Sequence, residues 1–237
     1  MNLILLFERD FVDAARTRAR VEGRRARHVR KVLRAAPGDV LIVGLANGPV
    51  GEGRVRDLDR ESVELEVTLR DEPPPPLDVV LVLAVPRPPV LRRTLAAATS
   101  LGVKRIELVN AERVEQSFLQ SHAIDDDAIE EQLVLGLEQA RDTGMPRVAL
   151  HRRFGAFVSD TLPGLVEGRS ARVADPRGEP APVTPWPVPG LVAIGPEGGW
   201  VESELDDLRR AGLRAVALGD RAVRVETAVP LILGRYL

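Results

Sequence analysis

The sequence predicts an α/β protein in two parts: a small β-rich, barrel-like module, then a larger domain built on a parallel sheet with helices on both faces. Three observations predict it. Four consecutive prolines at 73–76 form a stiff, extended spacer. Upstream of them, short apolar runs are divided by Pro-Gly and Asn-Gly turn signals. Downstream, apolar runs alternate with helix-like segments, the rhythm of parallel strands joined by crossover helices.

In the front module, residues 26–33 are expected to form a short helix, followed by a turn at Pro37-Gly38-Asp39. Residues 40–43 read as a strand and Asn47-Gly48 as a hairpin. Strands follow over 51–58 and 62–69. In the latter, Val63, Leu65, Val67 and Leu69 alternate with Glu64, Glu66 and Thr68, the period of a half-exposed strand. Beyond the spacer, strands are expected over 79–85, 105–109, 147–150, 172–174, 191–194 and 214–218. Helices are expected over 90–101, closed by Gly102, over 125–141, over 203–211, closed by Gly212, and over 227–236. Ile129, Leu133 and Leu137 recur every four residues in the second of these, and Val229, Ile232, Leu233 and Tyr236 make one stripe in the last. Pro230 is expected in the first turn of that last helix, where its missing N–H costs nothing. Residues 175–190 are Pro-rich and read as an irregular loop. The expected division is 1–70, a spacer at 71–76, and 77–237.

Composition narrows the chemistry. The 237 residues include no cysteine, which excludes disulfides, thiolate zinc sites and thiol nucleophiles. His28, His122 and His151 are scattered, without metal-ligand spacing, so no metal is expected. The apolar start at 1–7 is too short for a signal peptide and lacks a basic flank, and no apolar run approaches the ~20 residues of a membrane span. A cytoplasmic protein is expected. Net charge is −2, yet between Arg9 and Arg34 ten basic residues face three acidic ones. Such a cluster points to a polyanion, or to a merely solvated arginine-rich face.

The run Leu191 to Gly199 is the most telling stretch. An apolar strand breaks into Gly195-Pro196-Glu197-Gly198-Gly199, so a buried strand delivers an exposed, glycine-rich backbone loop. A second loop has the same grammar: Leu218-Gly219, then Arg224-Val225-Glu226-Thr227-Ala228. Loops of this kind at the ends of neighbouring strands would build one pocket. The dinucleotide and P-loop glycine patterns are absent, and a carboxylate inside the turn would repel a pyrophosphate. A cationic ligand, or one rich in hydroxyl and amide donors, fits better; the alternative is a plain tight turn with Glu197 solvated. Thr227 is placed to cap the last helix, and Glu226 to stay ionised near its N-terminus. Arg224 could pair with Glu226 or grip a phosphate. Trp200 could wall the pocket or pack in the core.

At these loops the chain resembles the RsmE-type 16S ribosomal RNA uridine N3-methyltransferases of the SPOUT superfamily. The carriers are Gly195-Pro196-Glu197-Gly198-Gly199-Trp200 and Leu218-Gly219-Asp220-Arg221-Ala222-Val223-Arg224-Val225-Glu226-Thr227-Ala228. Leu83-Ala84-Val85-Pro86-Arg87, with Leu91 and 99–103, is similar to the family's first knot-domain strand and helix. Leu137-Glu138-Gln139-Ala140-Arg141 is similar to its Glu-Gln helix, and Arg27-His28-Val29-Arg30-Lys31-Val32-Leu33-Arg34 to its PUA-like RNA-binding module. The chain departs from the family at Val201, where a capping Ser or Thr is usual ahead of Glu204. It departs also at Asp220, at Ala222-Val223 and at Arg87, where lysine is frequent.

The resemblance implies a C-terminal trefoil-knotted sheet, a PUA-like β-barrel in front, S-adenosyl-L-methionine (SAM) as cofactor, and a homodimer acting on 16S rRNA of the small ribosomal subunit, near the decoding centre. It implies a SAM pocket lined by Leu83, Ala84, Gly195, Pro196, Glu197, Gly198, Gly199, Leu218, Gly219, Val223, Arg224 and Thr227. Arg224 and Glu226 would face the target base, and Arg24, Arg25, Arg27, His28, Arg30, Lys31, Arg34 and Arg87 would hold RNA. In the chemistry so implied, Glu226 takes the N3 proton or orients the base that does, and Arg224 stabilises negative charge on uracil O2 or O4. Methylation of a ring nitrogen needs no cysteine adduct, in keeping with the cysteine-free chain. The rival readings are methylation of another RNA, and an RNA-binding or ribosome assembly factor without catalysis.

Overall fold

The computed structural model describes residues 2–182 and 184–237. Met1 and Val183, which fall in the apolar start and in the Pro-rich stretch, lie outside the described residues. Two compact units are formed: residues up to Pro75 with Val134–Met145, and Pro76–Leu133 with Pro146–Leu237.

The first unit is a curled five-stranded sheet. Its elements are β1 (Ile4–Leu6), β2 (Arg18–Glu22), the short helix α1 (Gly23–His28) with a π turn over Val29–Leu33, and β3 (Val40–Leu45), β4 (Val50–Leu58) and β5 (Ser62–Asp71), in the order β1-β3-β4-β5-β2. The Asn47-Gly48 hairpin forms, with Asn47 in the left-handed region at φ 57°. Helix α1 starts three residues before the expected position. Strands β1 and β2 were not anticipated from the sequence. Strand β2 hides its period in arginines: Ala19 and Val21 are buried while Arg18, Arg20 and Glu22 point to solvent. Strand β1 is buried on both faces. Ile4 and Leu6 join Val21, Val43, Val63 and Leu65 in one core, while Leu3 and Leu5 pack on Val134 and Leu137 in another.

The second unit is a six-stranded sheet, parallel throughout. Its strands are β6 (Leu77–Ala84), β7 (Val103–Val109), β8 (Arg147–His151), β9 (Ser170–Pro180), β10 (Gly190–Ile194) and β11 (Arg214–Ala217), in the order β11-β9-β10-β6-β7-β8. Parallel strands need long crossovers. Helices supply four of the five: α2 (Pro88–Ser100), α3 (Asp126–Ala140, its second half counted with the first unit), the short pair α4 (Phe154–Ala156) and α5 (Leu162–Val166), and α6 (Glu202–Arg210); β9 passes to β10 without one among the described residues. The last helix, α7 (Val225–Leu233), packs on α2. Every residue of β10, and β6 from Val79 on, is buried, which requires cover on both faces. Gly102 and Gly212 end α2 and α6 in the left-handed region, as expected.

Three expectations are corrected. Strand β9 runs on to Pro180, so the first third of the Pro-rich stretch is not a loop; a bulge after Val173 lets 179–180 pair with β11. Helix α7 starts at Val225 rather than Thr227. Its N-cap is Arg224, without a side-chain bond, so Thr227 sits inside the first turn and caps nothing. Pro230 therefore lies in the helix interior, where it removes the N–H that would bond the Glu226 carbonyl.

The chain end is wedged tightly. Tyr236 stacks edge-on against Trp186, ring centroids 5.3 Å apart, and its ring covers Gly190. A Cβ on Gly190 would collide with that ring. Gly190→Ala is expected to destabilise the second unit by ~1–3 kcal/mol through overpacking. That is a fall in melting temperature of ~2–4 °C per kcal/mol, measurable by calorimetry.

Candidate active site

Parallel sheets present their ligand sites at the carboxyl ends of the strands, and both glycine loops of the sequence leave the sheet there. Strand β10 ends at Ile194 and β11 at Ala217. They are not neighbours, contrary to the expectation from the sequence: β9 stands between them. Two strand spacings, about 10 Å, separate them. Asp175 on β9 is buried in this gap-bridging strand and accepts bonds from the Arg177 backbone N–H at 2.7 Å and from its guanidinium at 3.0 Å. Arg177 reaches on to Glu202 at the start of α6, 2.6 Å. Burial pushes the Asp175 carboxyl up, but the Arg177 bonds outweigh it and hold the group below its ordinary value.

The first loop closes as a tight turn, with the Gly199 N–H donating to the Pro196 carbonyl at 2.8 Å. Gly199 has φ +73° and Gly219, in the second loop, φ +125°; beside each, the place of a Cβ is open space. Glu197 at the tip accepts from the Arg87 backbone N–H at 3.2 Å and from Arg87 Nε at 3.3 Å. This ties the end of β6 to the glycine turn. A second tie comes from the loop after β7, where Arg113 donates to the Gly198 carbonyl at 2.5 Å. A third is Glu204 on α6, whose carboxylate accepts from the Val201 N–H at 3.0 Å and from the Glu112 N–H at 2.7 Å. The N-terminus of α6 therefore keeps an N–H-to-carboxylate bond although Val201 has no capping side chain.

In the second loop, Glu226 is three-quarters buried on the first turn of α7 and is gripped from α2. Arg93 Nε and Nη2 donate to its Oε2 at 2.9 and 2.5 Å. This bond, chiefly, with the charges of Arg93, Arg224 and Arg87, holds the carboxyl below its ordinary value. The Arg224 side chain is exposed and, among the described residues, carries no hydrogen bond or ion pair; its backbone carbonyl accepts from the Thr227 and Ala228 N–H groups. Val223 and Thr227 are exposed, and Leu218 is half-buried. Leu83 and Ala84 are wholly buried at the end of β6, so neither offers a side chain to a ligand. Trp200 is core, 3% exposed, its ring 5.7 Å from Phe154. Sequence reasoning missed Arg93 and Arg113. Each pairs across a long stretch of chain, and no local pattern marks it.

The basic cluster of the first unit divides into two sets. Arg25 is largely buried and bonded within the fold: its fork meets Asp10 at 2.5 and 2.8 Å, and Nη1 also reaches the Leu5 carbonyl at 2.7 Å. Arg24 pairs with the fully buried Glu138 carboxylate at 2.7 Å. Arg30 donates to the Asp59 and Arg60 carbonyls at 3.1 and 2.6 Å. These three arginines are engaged within the fold, and Arg87 is engaged by Glu197. His28 is half-buried. The side chains of Arg27, Lys31 and Arg34 are exposed and make no hydrogen bond or ion pair among the described residues. No group of three His, Cys, Asp or Glu that could hold a metal ion occurs among the described residues, and no helix there is long and apolar enough to cross a membrane.

Comparison with known proteins fits this geometry. A family model described as an RNA methyltransferase domain matches residues 73–236, and one described as an RNA methyltransferase PUA domain matches 21–68. Ribosomal RNA small subunit methyltransferase E of Treponema pallidum is 30% identical over 233 residues, 96% of this chain and 87% of that protein. The protein of that name from Synechocystis is 27% identical over 214 residues, 88% of this chain and 69% of that one. Among solved structures, ribosomal RNA small subunit methyltransferase E of Neisseria gonorrhoeae, bound to S-adenosyl methionine, superposes with a TM-score of 0.73 at 22% identity, over 99% of this chain and 95% of that one. That likeness shows the fold, the α/β class on a parallel sheet together with a small β-rich module, as expected from the sequence. With the domain model and the Treponema relative, the family is established: the chain belongs to the ribosomal RNA small subunit methyltransferase E family of RNA methyltransferases.

Proposed function

We propose that the protein uses SAM to methylate N3 of a uridine in 16S rRNA, near the decoding centre of the small subunit, in the cytoplasm and as a homodimer. Residues 1–70 serve as the RNA-binding module, 71–76 as spacer and 77–237 as the methyltransferase. The observation that carries this reading is the pairing, at one end of a parallel sheet, of a glycine turn with an exposed arginine and a clamped carboxylate.

The residues fit the cofactor. The places of absent Cβ atoms at Gly199 and Gly219 are open, so a ligand can lie against the bare backbone. SAM, when bound, supplies an electrophilic methyl group on a sulfonium. The protein does the rest. Backbone and side chains of the two loops fix the methyl donor, which turns an encounter into a positioned reaction. Glu226 accepts a hydrogen bond from the uracil N3–H and aligns the nitrogen lone pair as it forms. Its lowered pKa makes it a poor terminal proton acceptor and a reliable anion. The N3 proton leaves to solvent water as the N–CH3 bond forms and the sulfonium C–S bond breaks, and Arg224, its side chain unpaired, would face the charge that gathers on a uracil oxygen in that step. Arg27, Lys31 and Arg34 are free to meet phosphates. Leu231 and Leu237 are 49% and 69% exposed on and after the last helix, apolar surface available to a second copy.

The test is nucleoside mass spectrometry of ribosomal RNA from a strain lacking the protein. Loss of 3-methyluridine from small-subunit RNA, restored by the intact chain, is the expected result. A methyl group missing from transfer RNA or large-subunit RNA instead would redirect the assignment. An unchanged nucleoside profile, with no SAM binding by calorimetry, would end it in favour of a factor without catalysis.

A further inference from the structure

Arg93 is the strongest unassigned feature of the second unit. It stands on α2, outside both glycine loops, and its partner Glu226 is 133 residues away. The two helices that carry them pack on each other, and each buries apolar side chains of its own, Leu91 and Leu95 on α2 and Val229 and Ile232 on α7. Their backbones are thus fixed before the ion pair forms, and the pair is not needed to hold them together. Arg93 is itself 60% exposed, and half-exposed ion pairs add little to stability.

What the ion pair does is directional. Both guanidinium N–H groups, Nε and Nη2, converge on one oxygen, Oε2. Oε1 receives no hydrogen bond among the described residues. Arg224, the N-cap of the same helix, lies close enough for its charge to be felt at Glu226, yet makes no ion pair with it. The carboxylate therefore has one oxygen committed, one open, and a nearby arginine it does not neutralise.

We infer that Arg93 is a positioning residue for the methyl-transfer site: it occupies Glu226 Oε2, aims Oε1 at the N–H of the target base, and keeps Glu226 from pairing with Arg224. The inference rests on the function proposed above. Without Arg93 the most available cation for Glu226 is Arg224, and that pairing would withdraw from the substrate both the acceptor and the positive charge. A lysine at 93 would restore charge but not the fork that places two donors on one oxygen.

The test is a double-mutant cycle on the full chain. Single-turnover transfer from radiolabelled SAM to small-subunit RNA is measured for the wild type, Arg93→Ala, Arg93→Lys, Glu226→Gln and the Arg93→Ala/Glu226→Gln double variant. SAM dissociation constants are taken on the same preparations. Arg93→Ala is expected to slow transfer ~10–100-fold with SAM affinity within about twofold, and Arg93→Lys to recover only a small part. In the Glu226→Gln background the same arginine substitution is expected to cost less than about threefold, since its effect runs through the carboxylate. Added guanidinium, and not ammonium, is expected to raise the rate of Arg93→Ala, a readout that survives even if this variant is less stable. Wild-type rate in Arg93→Ala, or an equal loss in both backgrounds, would overturn the inference while leaving the function intact. A wild type that neither binds SAM nor methylates any RNA would remove the function, and the inference with it.

Discussion

Glu226→Gln is expected to lower methyl transfer by about 10²–10³-fold while leaving SAM affinity within about twofold. The size follows from losing a positioned acceptor at the reacting N–H, an effect of the general acid–base class. Gln keeps the side chain's shape but is no longer an anion, and it can present an amide N–H to the base where the carboxylate offered only acceptors. SAM affinity is spared because the turn at 196–199 is fastened by Arg87 and Arg113 and not by Glu226. The same variant fixes the pH dependence. Chiefly through the Arg93 bond, the Glu226 carboxyl titrates below its ordinary value, so its ionised form is fully present above the usual carboxylate range and is lost only as pH falls through the lowered value. Turnover should then show no acid limb from this group between about pH 5 and 8. Any rise with pH in that window belongs to the weakly acidic N–H of the base. An acid limb that vanishes in Glu226→Gln would mean that the carboxylate itself shuttles the proton.

How much of the fold and site is legible in the sequence depends on the range of the interaction that decides each element. Strands β6 and β10 are legible because continuous apolar runs mean burial on both faces. Strand β2 is not, because Ala19 and Val21 are interleaved with arginines, and strand β1 is not, because three residues give no period. The extension of β9 is hidden by Asp175-Pro176-Arg177-Gly178, whose composition signals a turn; pairing with β11 overrides it. The start of α7 is misplaced because Thr227 is a better capping residue than Arg224, yet packing of Val225 and Ala228 into the core sets the boundary. At the site, the glycine turn is visible because its conformation is local. The grip of Arg93 on Glu226 and the bond from Arg113 to Gly198 are not, since both depend on which loops the sheet order brings together. That order also puts β9 between the two glycine loops, which no local pattern encodes.

The basic segment of the first unit shows the same division with the largest energetic consequence. By sequence alone Arg24, Arg25, Arg27, Arg30, Lys31 and Arg34 are equivalent. In the fold they are not, and Asp10→Ala should separate them. Asp10 is 7% exposed; it accepts the Phe7 N–H at 2.8 Å and both arms of Arg25, itself only 14% exposed. Removing the carboxylate leaves a nearly buried guanidinium with the Leu5 carbonyl as its one hydrogen-bond acceptor among the described residues, beside the Phe7 ring, and breaking such a pair costs ~3–5 kcal/mol. Trp186 and Trp200 both lie in the second unit, so fluorescence would miss the event; hydrogen exchange of the β2–β5 amides would report it. Arg27→Ala, Lys31→Ala and Arg34→Ala break no internal hydrogen bond or ion pair and should change stability by no more than about 0.5 kcal/mol each. What they should change is RNA affinity, with the salt dependence of binding falling by ~0.7–0.9 for each phosphate no longer neutralised. If Asp10→Ala leaves amide protection intact, the buried pair is not what holds this end of the module. If the exposed triad can be removed without altering the salt slope, the RNA surface lies elsewhere on the chain.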